Sequence, residues 1–433
     1  MVTGPRRPSS NALSAPSGPS DLPVIVAGAG PVGMTAAARL ARDGVPVIVV
    51  EAEAVPKTDW RASTFHAATL ELLDDIGVTP QMHAEGLVVP IYHFRDRADG
   101  LIAAFDFGLL SDETRFPYRL QLNQQHLVRM LYERLRAVAG HGVELLFGSR
   151  VTDVATTAGG VAATVRTPRG ERVLRGSHLI GADGAASTVR QVLGIDFPGH
   201  TYPERFVIVS TSVDLRTMLP GIADVNYVAD PEQWLFILHT PESWRVLYPV
   251  PPGESPAATD PARLQEQLQA VAPRPGGYPI VDHQIYNVHQ RVATTFRVGN
   301  IVIAGDAAHI NSPIGGVGLN SGIHDVMDVA ARIARIRAGE TDPEAELSAY
   351  DAVRRRIAVE YVQADTQRNT ERLKETDAAR RRASQEEMRA TAADPARSRA
   401  YMRRVSLLES VRRFGIGRPP DELTAIATAP PRP

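Results

Sequence analysis

A chain of 433 residues, 43% hydrophobic and 22% charged, is too long for one ordinary domain and has the composition of a globular protein with two or three. Its formal net charge of −2 gives no general attraction to nucleic acid or to an anionic membrane surface. The absence of cysteine excludes disulfides, thiolate metal sites and cysteine nucleophiles and fits a reducing, cytoplasmic setting.

Residues 1–20, MVTGPRRPSSNALSAPSGPS, are rich in Pro, Ser and Gly and read as a disordered lead. Arg6-Arg7 is not followed by the apolar stretch of a twin-arginine signal, and no run of about 18 apolar residues offers a membrane span. From Pro23 the pattern changes. Val24 to Ala27 is a buried strand, Gly28-Ala29-Gly30-Pro31-Val32-Gly33 a turn, and Pro31 to Arg42 a helix. Pro46 to Val50 is a second strand ending in Glu51, 23 positions after the first glycine. This is a dinucleotide fingerprint in its βαβ setting. Gly28 permits the tight turn, Gly30 lets a pyrophosphate approach the helix start, and Gly33 permits helix–strand contact. Glu51 can accept both hydroxyls of an adenosine ribose and would repel a 2′-phosphate. The fingerprint does not separate FAD from NAD.

Residues 61–77 form a polar loop entering a helix from Thr69 to Ile76, closed by Gly77. His66 within it reads as local structure. Short β-like runs, Val88 to Phe94 and Leu101 to Phe107, begin a second domain. Leu127, Met130, Leu131 and Leu135 then line one face of a helix. Val143 to Phe147 and Arg150 to Val154 are expected to return to the first sheet. Val161 to Thr167 and Glu171 to Arg175 form a hairpin across Pro168-Arg169-Gly170. The stretch HLIGADGAASTVR, His178 to Arg190, is a strand, an Asp-Gly turn and a helix start. Phe206 to Val213, Asp224 to Val228, Gln233 to Leu238 and Trp244 to Val250 read as antiparallel strands, with Trp234, Phe236 and Leu238 on an apolar face. Tyr227, His239 and Arg245 are their polar candidates for contact with a small molecule.

The most informative stretch is GNIVIAGDAAHINSPIGGVGLNSGIHD, Gly299 to Asp325. A β-branched run ends at Gly305-Asp306, and a loop with Pro313, Gly315, Gly316 and Gly318 leads into a helix from about Leu319 to Ala338. Asp306 would accept hydrogen bonds from sugar-like hydroxyls. The N–H groups around Leu319 and Asn320 would face developing negative charge. Beyond Gly339 the chain is helical and arginine-rich over Glu344 to Thr376, Ala379 to Ala393 and Ala396 to Phe414. The helices are expected to present solvated charged faces, with Leu407, Leu408 and Val411 available to a partner.

Three motifs in this order, the fingerprint, the Asp183-Gly184 turn and the Gly305-Asp306 stretch, resemble the flavin-dependent aromatic hydroxylases of the para-hydroxybenzoate hydroxylase type. The resemblance covers about residues 22–340. It implies an α/β fold: a Rossmann-type FAD-binding domain, an interleaved mixed or antiparallel substrate sheet, and C-terminal helices. The corresponding boundaries are 21–87, 120–205 and 290–340 for the FAD domain, 88–119 and 206–289 for the substrate domain, 341–415 for the helices and 416–433 for a loose tail. Some relatives carry a thioredoxin-like domain or a membrane anchor here, for which no room is expected.

The cofactor-binding residues so implied are Gly28, Gly30, Pro31, Val32, Gly33, Glu51, Arg61, Gln124, Val151, Asp183, Asp306, Gly316, Gly318, Leu319 and Asn320. Tyr227, His239, Arg245 and Pro313 are the expected substrate contacts; no single catalytic residue and no metal is assigned. By resemblance, NADPH or NADH reduces bound FAD, O2 adds to give a C4a-hydroperoxide, and one oxygen passes to a phenolic or heteroaromatic ring. The expected partners are that small aromatic molecule and O2, with no nucleic acid or membrane, in a monomer or homodimer. Rival readings on the same fold are an isoprenoid reductase, a halogenase or a FAD-binding protein without turnover. The two lysines, Lys57 and Lys374, lack the setting of a halogenase lysine.

Overall fold

The computed structural model describes residues 22–58, 60, 62–254 and 258–427. The expected lead over 1–20 and Arg61 lie outside these.

Short β-branched runs build the central sheet. Its order is Arg297–Val298, Ile301–Ile303, His178–Gly181, Val24–Ala27, Val47–Val50 and Val143–Leu146. All neighbours are parallel except the Arg297–Val298 edge. Strands covered on both faces must be apolar throughout, and Val24–Ala27 is buried at every position. The helices Pro31–Arg42, Gln124–Ala137 and Gly318–Ala338 share one core with this sheet.

Arg150–Thr157 does not return to the central sheet as expected. It pairs antiparallel with Gly160–Thr167, which pairs in turn with Gly170–Gly176. Its Thr and Asp side chains suit a sheet with one wet face, not a doubly covered parallel one. The hairpin across Pro168 forms where the turn residues indicate.

The second sheet has eight strands, in the order His309–Ile310, Ile280–Val292, Gly199–Thr211, Ser243–Val250, Leu235–Thr240, Val225–Ala229, Ile91–Asp96 and Gly100–Asp106. It is mixed, because Val225–Ala229 runs parallel to Ile91–Asp96. Period-two alternation splits its faces. Tyr227, Phe236, Leu238 and Leu247 point one way, into a core shared with Ile314, Val317 and the C-terminal helices. Leu235, Ile237, Trp244 and Val246 point the other way, toward Leu264 and Leu268 of the helix Pro261–Val271.

The C-terminal helices are less solvated than their arginine content suggests. Arg332 and Glu346 are both 0% exposed and bonded at 2.7 Å, and Asp328 binds Arg332 at 2.8 Å. Leu407 and Leu408 are buried in the second core, which removes them from the partner surface expected of them. Nor is the segment after residue 415 uniformly loose. Gly417 N donates to Asp328 at 2.6 Å, and Pro420–Ala427 is helical. Among the described residues no helix is long and apolar enough to cross a membrane.

Candidate active site

The first turn assigns a different task to each of its glycines. A Cβ on Gly28, which has φ +101°, would run into the Ala182 carbonyl, and one on Gly33 into the Gly28 carbonyl. A Cβ on Gly30 would meet nothing within 4 Å, so the middle glycine faces open space at the start of the helix Pro31–Arg42. Pro31 occupies the first turn of that helix, and no side chain caps its start. Val32 packs between two close approaches, since added Cβ atoms on Gly305 and Gly322 would lie 3.0 and 2.7 Å from its Cγ2. Glu51 is held in place: its Oε2 accepts from Ala29 N at 2.7 Å and its Oε1 from Glu53 N at 2.9 Å. Each carboxylate oxygen retains capacity for a second donor.

The Asp-Gly turn sits directly beneath. Ala182 N donates to Ala27 O, and Asp183 accepts from Ser187 Oγ at 2.6 Å and Val189 N at 3.1 Å. Arg190 reaches from this helix to the Ala307 carbonyl at 2.9 Å and stacks on Phe197. It therefore ties the second motif to the third.

In the third motif, Gly305 turns with φ +59° and Asp306 is exposed. What fixes the turn is Asp325, which is 0% exposed. One of its oxygens accepts from Gly305 N at 3.0 Å and His309 Nε2 at 2.8 Å, and the other from Arg354 Nε at 2.7 Å. Burial pushes its carboxyl pKa up, but Arg354 and His309 outweigh that and hold it well below the usual range.

The loop beyond has φ +118° at Gly315 and +65° at Gly316. His66 donates from Nε2 to Gly315 O at 2.9 Å; burial, then Arg119, lower its pKa to about 3, so the ring is neutral. Asn320 commits its side chain locally, accepting from His66 N at 2.9 Å and donating to Thr64 O and Gly316 O at 2.8 and 2.6 Å. The helix Gly318–Ala338 starts without a side-chain cap, leaving the N–H groups of Gly318, Leu319 and Asn320 to other acceptors.

Gln124 begins its helix with its own N–H on Ala62 O at 2.9 Å. Val151 is buried in the first core, just beyond Ser149, whose N–H binds Glu51 O at 2.8 Å.

A small cavity opens beside the glycine loop, lined by Tyr92, Arg119, Tyr227, Ile314, Val317 and Tyr401 among others. Of the four expected substrate contacts, Tyr227 lies on its wall. His239 does not: strand alternation turns it to the far face, where its ring stacks on Trp244 at 4.6 Å and its Nδ1 binds Asp224 at 2.8 Å. Arg245 is on the near face but off the wall, bonded to Trp60 O at 3.1 Å and Asn123 Oδ1 at 2.5 Å. Pro313 lies one residue before the lining, with its carbonyl accepting from Gly316 N at 3.0 Å. Sequence reasoning misses Arg119, Tyr92, Tyr401 and the Asp325–Arg354 pair. The one signal for Arg119 is a charged residue inside the apolar run FPYRLQL.

An open-faced glycine turn with an anchored glutamate, an exposed aspartate on a braced turn, and an uncapped helix start fit a dinucleotide with hydroxylated chains and an electron-poor ring. Comparison with known proteins agrees. Residues 21–365 match the family model described as FAD binding domain. The chain is 35% identical over 367 residues to para-nitrophenol 4-monooxygenase of Pseudomonas sp. (strain WBC-3), covering 83% of this chain and 89% of that one. The crystal structure of p-nitrophenol 4-monooxygenase PnpA from Pseudomonas putida DLL-E4 superposes with a TM-score of 0.84 at 29% identity, covering 92% and 99% of the two chains. Aklavinone-11 hydroxylase, in a ternary complex with FAD and aklavinone, gives 0.72 at 28% identity, covering 81% and 69%.

Proposed function

The chain belongs to the FAD binding domain family, among the flavin-dependent aromatic monooxygenases, and on that premise we propose that it uses NADPH or NADH and O2 to hydroxylate a small phenolic or heteroaromatic ring. The observation that carries the reading is the sharing of one loop by two sites. Ile314, Gly315 and Val317 line the cavity, and the same loop runs into the uncapped start of Gly318–Ala338.

Bound FAD would supply the redox chemistry, accepting reducing equivalents and activating O2 for transfer of one oxygen atom. The residues supply the rest. Gly30 and Asp183, with Arg61, would surround the pyrophosphate side; Glu51 would hold the ribose, Asp306 the hydroxylated chain, and Gln124 and Val151 would add further contacts to FAD. The helix start, carrying roughly half a positive charge, would favour negative charge on the ring system. The aromatic walls would keep water from the activated oxygen. The names of the relatives, acting on nitrophenol and aklavinone, favour a phenolic substrate. We assign 88–119 and 206–289 to the substrate domain and the flanking segments to FAD.

The purified protein is expected to be yellow and to release FAD, not FMN, which lacks the ribose that Glu51 would hold. A screen of phenols and aromatic acids should find one that stimulates NAD(P)H oxidation and appears hydroxylated; a colourless protein that ignores FAD would sink the reading. Asp306→Ala should leave thermal unfolding of the apoprotein nearly unchanged but raise the Kd for FAD about ten- to hundredfold, the loss of a charged hydrogen bond of roughly 1.5–3 kcal/mol. An unchanged Kd would make Asp306 a strand-end residue only. Tyr227→Phe should retain FAD and NAD(P)H oxidation while releasing more hydrogen peroxide per NAD(P)H consumed, because a poorly placed ring leaves activated oxygen to water. Full coupling in that variant would put the substrate contacts elsewhere.

A further inference from the structure

Arg119 is a buried cation with no carboxylate in ion-pair range among the described residues. It lies on the short strand Arg119–Gln121, between Thr64–Phe65 and Leu87–Val89, and is 2% exposed. Its guanidinium carbon stands 4.4 Å from the ring centre of Tyr92, 5.3 Å from Phe107 and 5.8 Å from Tyr227. Nη1 donates to the Tyr227 hydroxyl at 3.2 Å, and Nε is buried with no partner. Arg332 and Arg354, equally buried, each answer to a carboxylate.

The other charged groups around the cavity do not neutralise it. Asp365 is engaged by Arg404 at 2.8 Å and by Arg368, and Arg372 reaches outward to Glu387. His66 is neutral. Burial keeps the Tyr92 and Tyr401 hydroxyls protonated, pushing both above the ordinary tyrosine range. A desolvated cation without a counter-charge is costly, and an anion entering this cavity would offset that cost.

Resting on the function proposed above, we infer that Arg119 sets the substrate charge that this cavity accepts: it seats a negatively charged oxygen on the ring, so that a phenol is taken as its phenolate. The surrounding rings fit a planar aromatic, and the guanidinium, with Nε unused, supplies directional donors to one oxygen at its edge. The cation selects on charge, and the aromatic walls select on shape.

The test uses the FAD-loaded protein and 4-nitrophenol, whose phenol and phenolate forms differ in absorption, with 4-nitroanisole as its neutral counterpart. Binding is read by difference spectra and calorimetry across the ligand's own pKa. Bound 4-nitrophenol is expected to show the phenolate spectrum throughout. Its apparent Kd should be flat above the ligand's pKa and rise about tenfold per pH unit below it, as the competent form is depleted. Arg119→Met should raise the Kd at high pH about ten- to hundredfold and leave that for 4-nitroanisole nearly unchanged, with Arg119→Lys intermediate.

Binding of the neutral phenol, equal affinity for the two ligands, or no binding of 4-nitrophenol by the unmutated protein overturns the inference, whether or not the variants fold. So does an Arg119→Met protein that loses FAD while its loaded fraction keeps the preference for phenolate, which would assign the guanidinium to the cofactor. None of these readouts requires turnover. Phenolate binding together with failure of every screened phenol to stimulate NAD(P)H oxidation would therefore sink the hydroxylase reading and leave Arg119 as an anion-binding group.

Discussion

Asp325→Ala is expected to destabilise the protein by about 3–5 kcal/mol, the usual cost of breaking a buried ion pair from one side. Arg354 is 1% exposed and among the described residues would keep only its Ser321 contacts at 3.3 and 3.4 Å. His309 Nε2 and Gly305 N would lose their acceptor as well. The effect should depend on pH. Because the folded carboxyl titrates below its unfolded value, its contribution is complete above the unfolded pKa, near 3.9, and is lost as pH falls from there toward the folded pKa. Urea unfolding of both proteins at neutral pH and again below about pH 4 should show the gap between them narrowing with acid. A gap under about 1 kcal/mol at neutral pH would mean that the turn before Asp306 is braced by something else. FAD affinity should fall together with stability, in contrast to Asp306→Ala.

Gly33→Ala is the second large effect. The new methyl would run into the Gly28 carbonyl and lie 3.3 Å from Val26 Cγ1. Val26 is fixed in the central sheet and Gly28 is tied to it, its N–H bonded to Val50 O at 2.8 Å, so the helix Pro31–Arg42 would have to lift away. Overpacking of this kind costs about 1–3 kcal/mol or more, and a clash with backbone belongs at the upper end. Gly30→Ala provides the contrast. Its methyl meets no protein atom within 4 Å, so unfolding should change by less than about 1 kcal/mol, the scale of a helix-start substitution, while FAD affinity falls. If Gly33→Ala unfolds like the parent and Gly30→Ala binds FAD like the parent, the division of labour between these glycines is wrong.

Much of this architecture is legible in the sequence because its determinants are local. The helix Pro31–Arg42 begins and ends where the fingerprint and polar pattern put it, and Gly339 closes the long helix with φ +72°. A turn glycine or an apolar run reports its own backbone. Side-chain destinations across the fold are another matter. Arg119 meets Tyr227, 108 positions away, and Arg354 meets Asp325 across 29; neither spacing leaves a periodic trace. His239 escapes the expected site through parity, since one residue along a strand decides the face. The strand Ile280–Val292 does not announce its full length because IVDHQIYNVHQRV alternates with mostly polar residues. Many of the helical arginines look solvated in the sequence because their carboxylates come from distant segments, as Arg381 finds Asp96 and Arg403 finds Glu113.

The parallel pairing of Val225–Ala229 with Ile91–Asp96 has a consequence for biogenesis. The sheet that roofs the cavity is assembled from residues 91–106 and 199–310, with the Asp-Gly turn and two strands of the central sheet made in between. A ribosome delivering this chain from its N-terminus therefore releases the hairpin of the first two roof strands well over a hundred residues before Val225–Ala229, the strand that joins its Ile91–Asp96 edge to the rest of the sheet. That edge must wait, exposed, while loop closure of that span is paid in entropy. Folding should be slow and late, and truncation before residue 310 should leave aggregation-prone edges instead of a free-standing half.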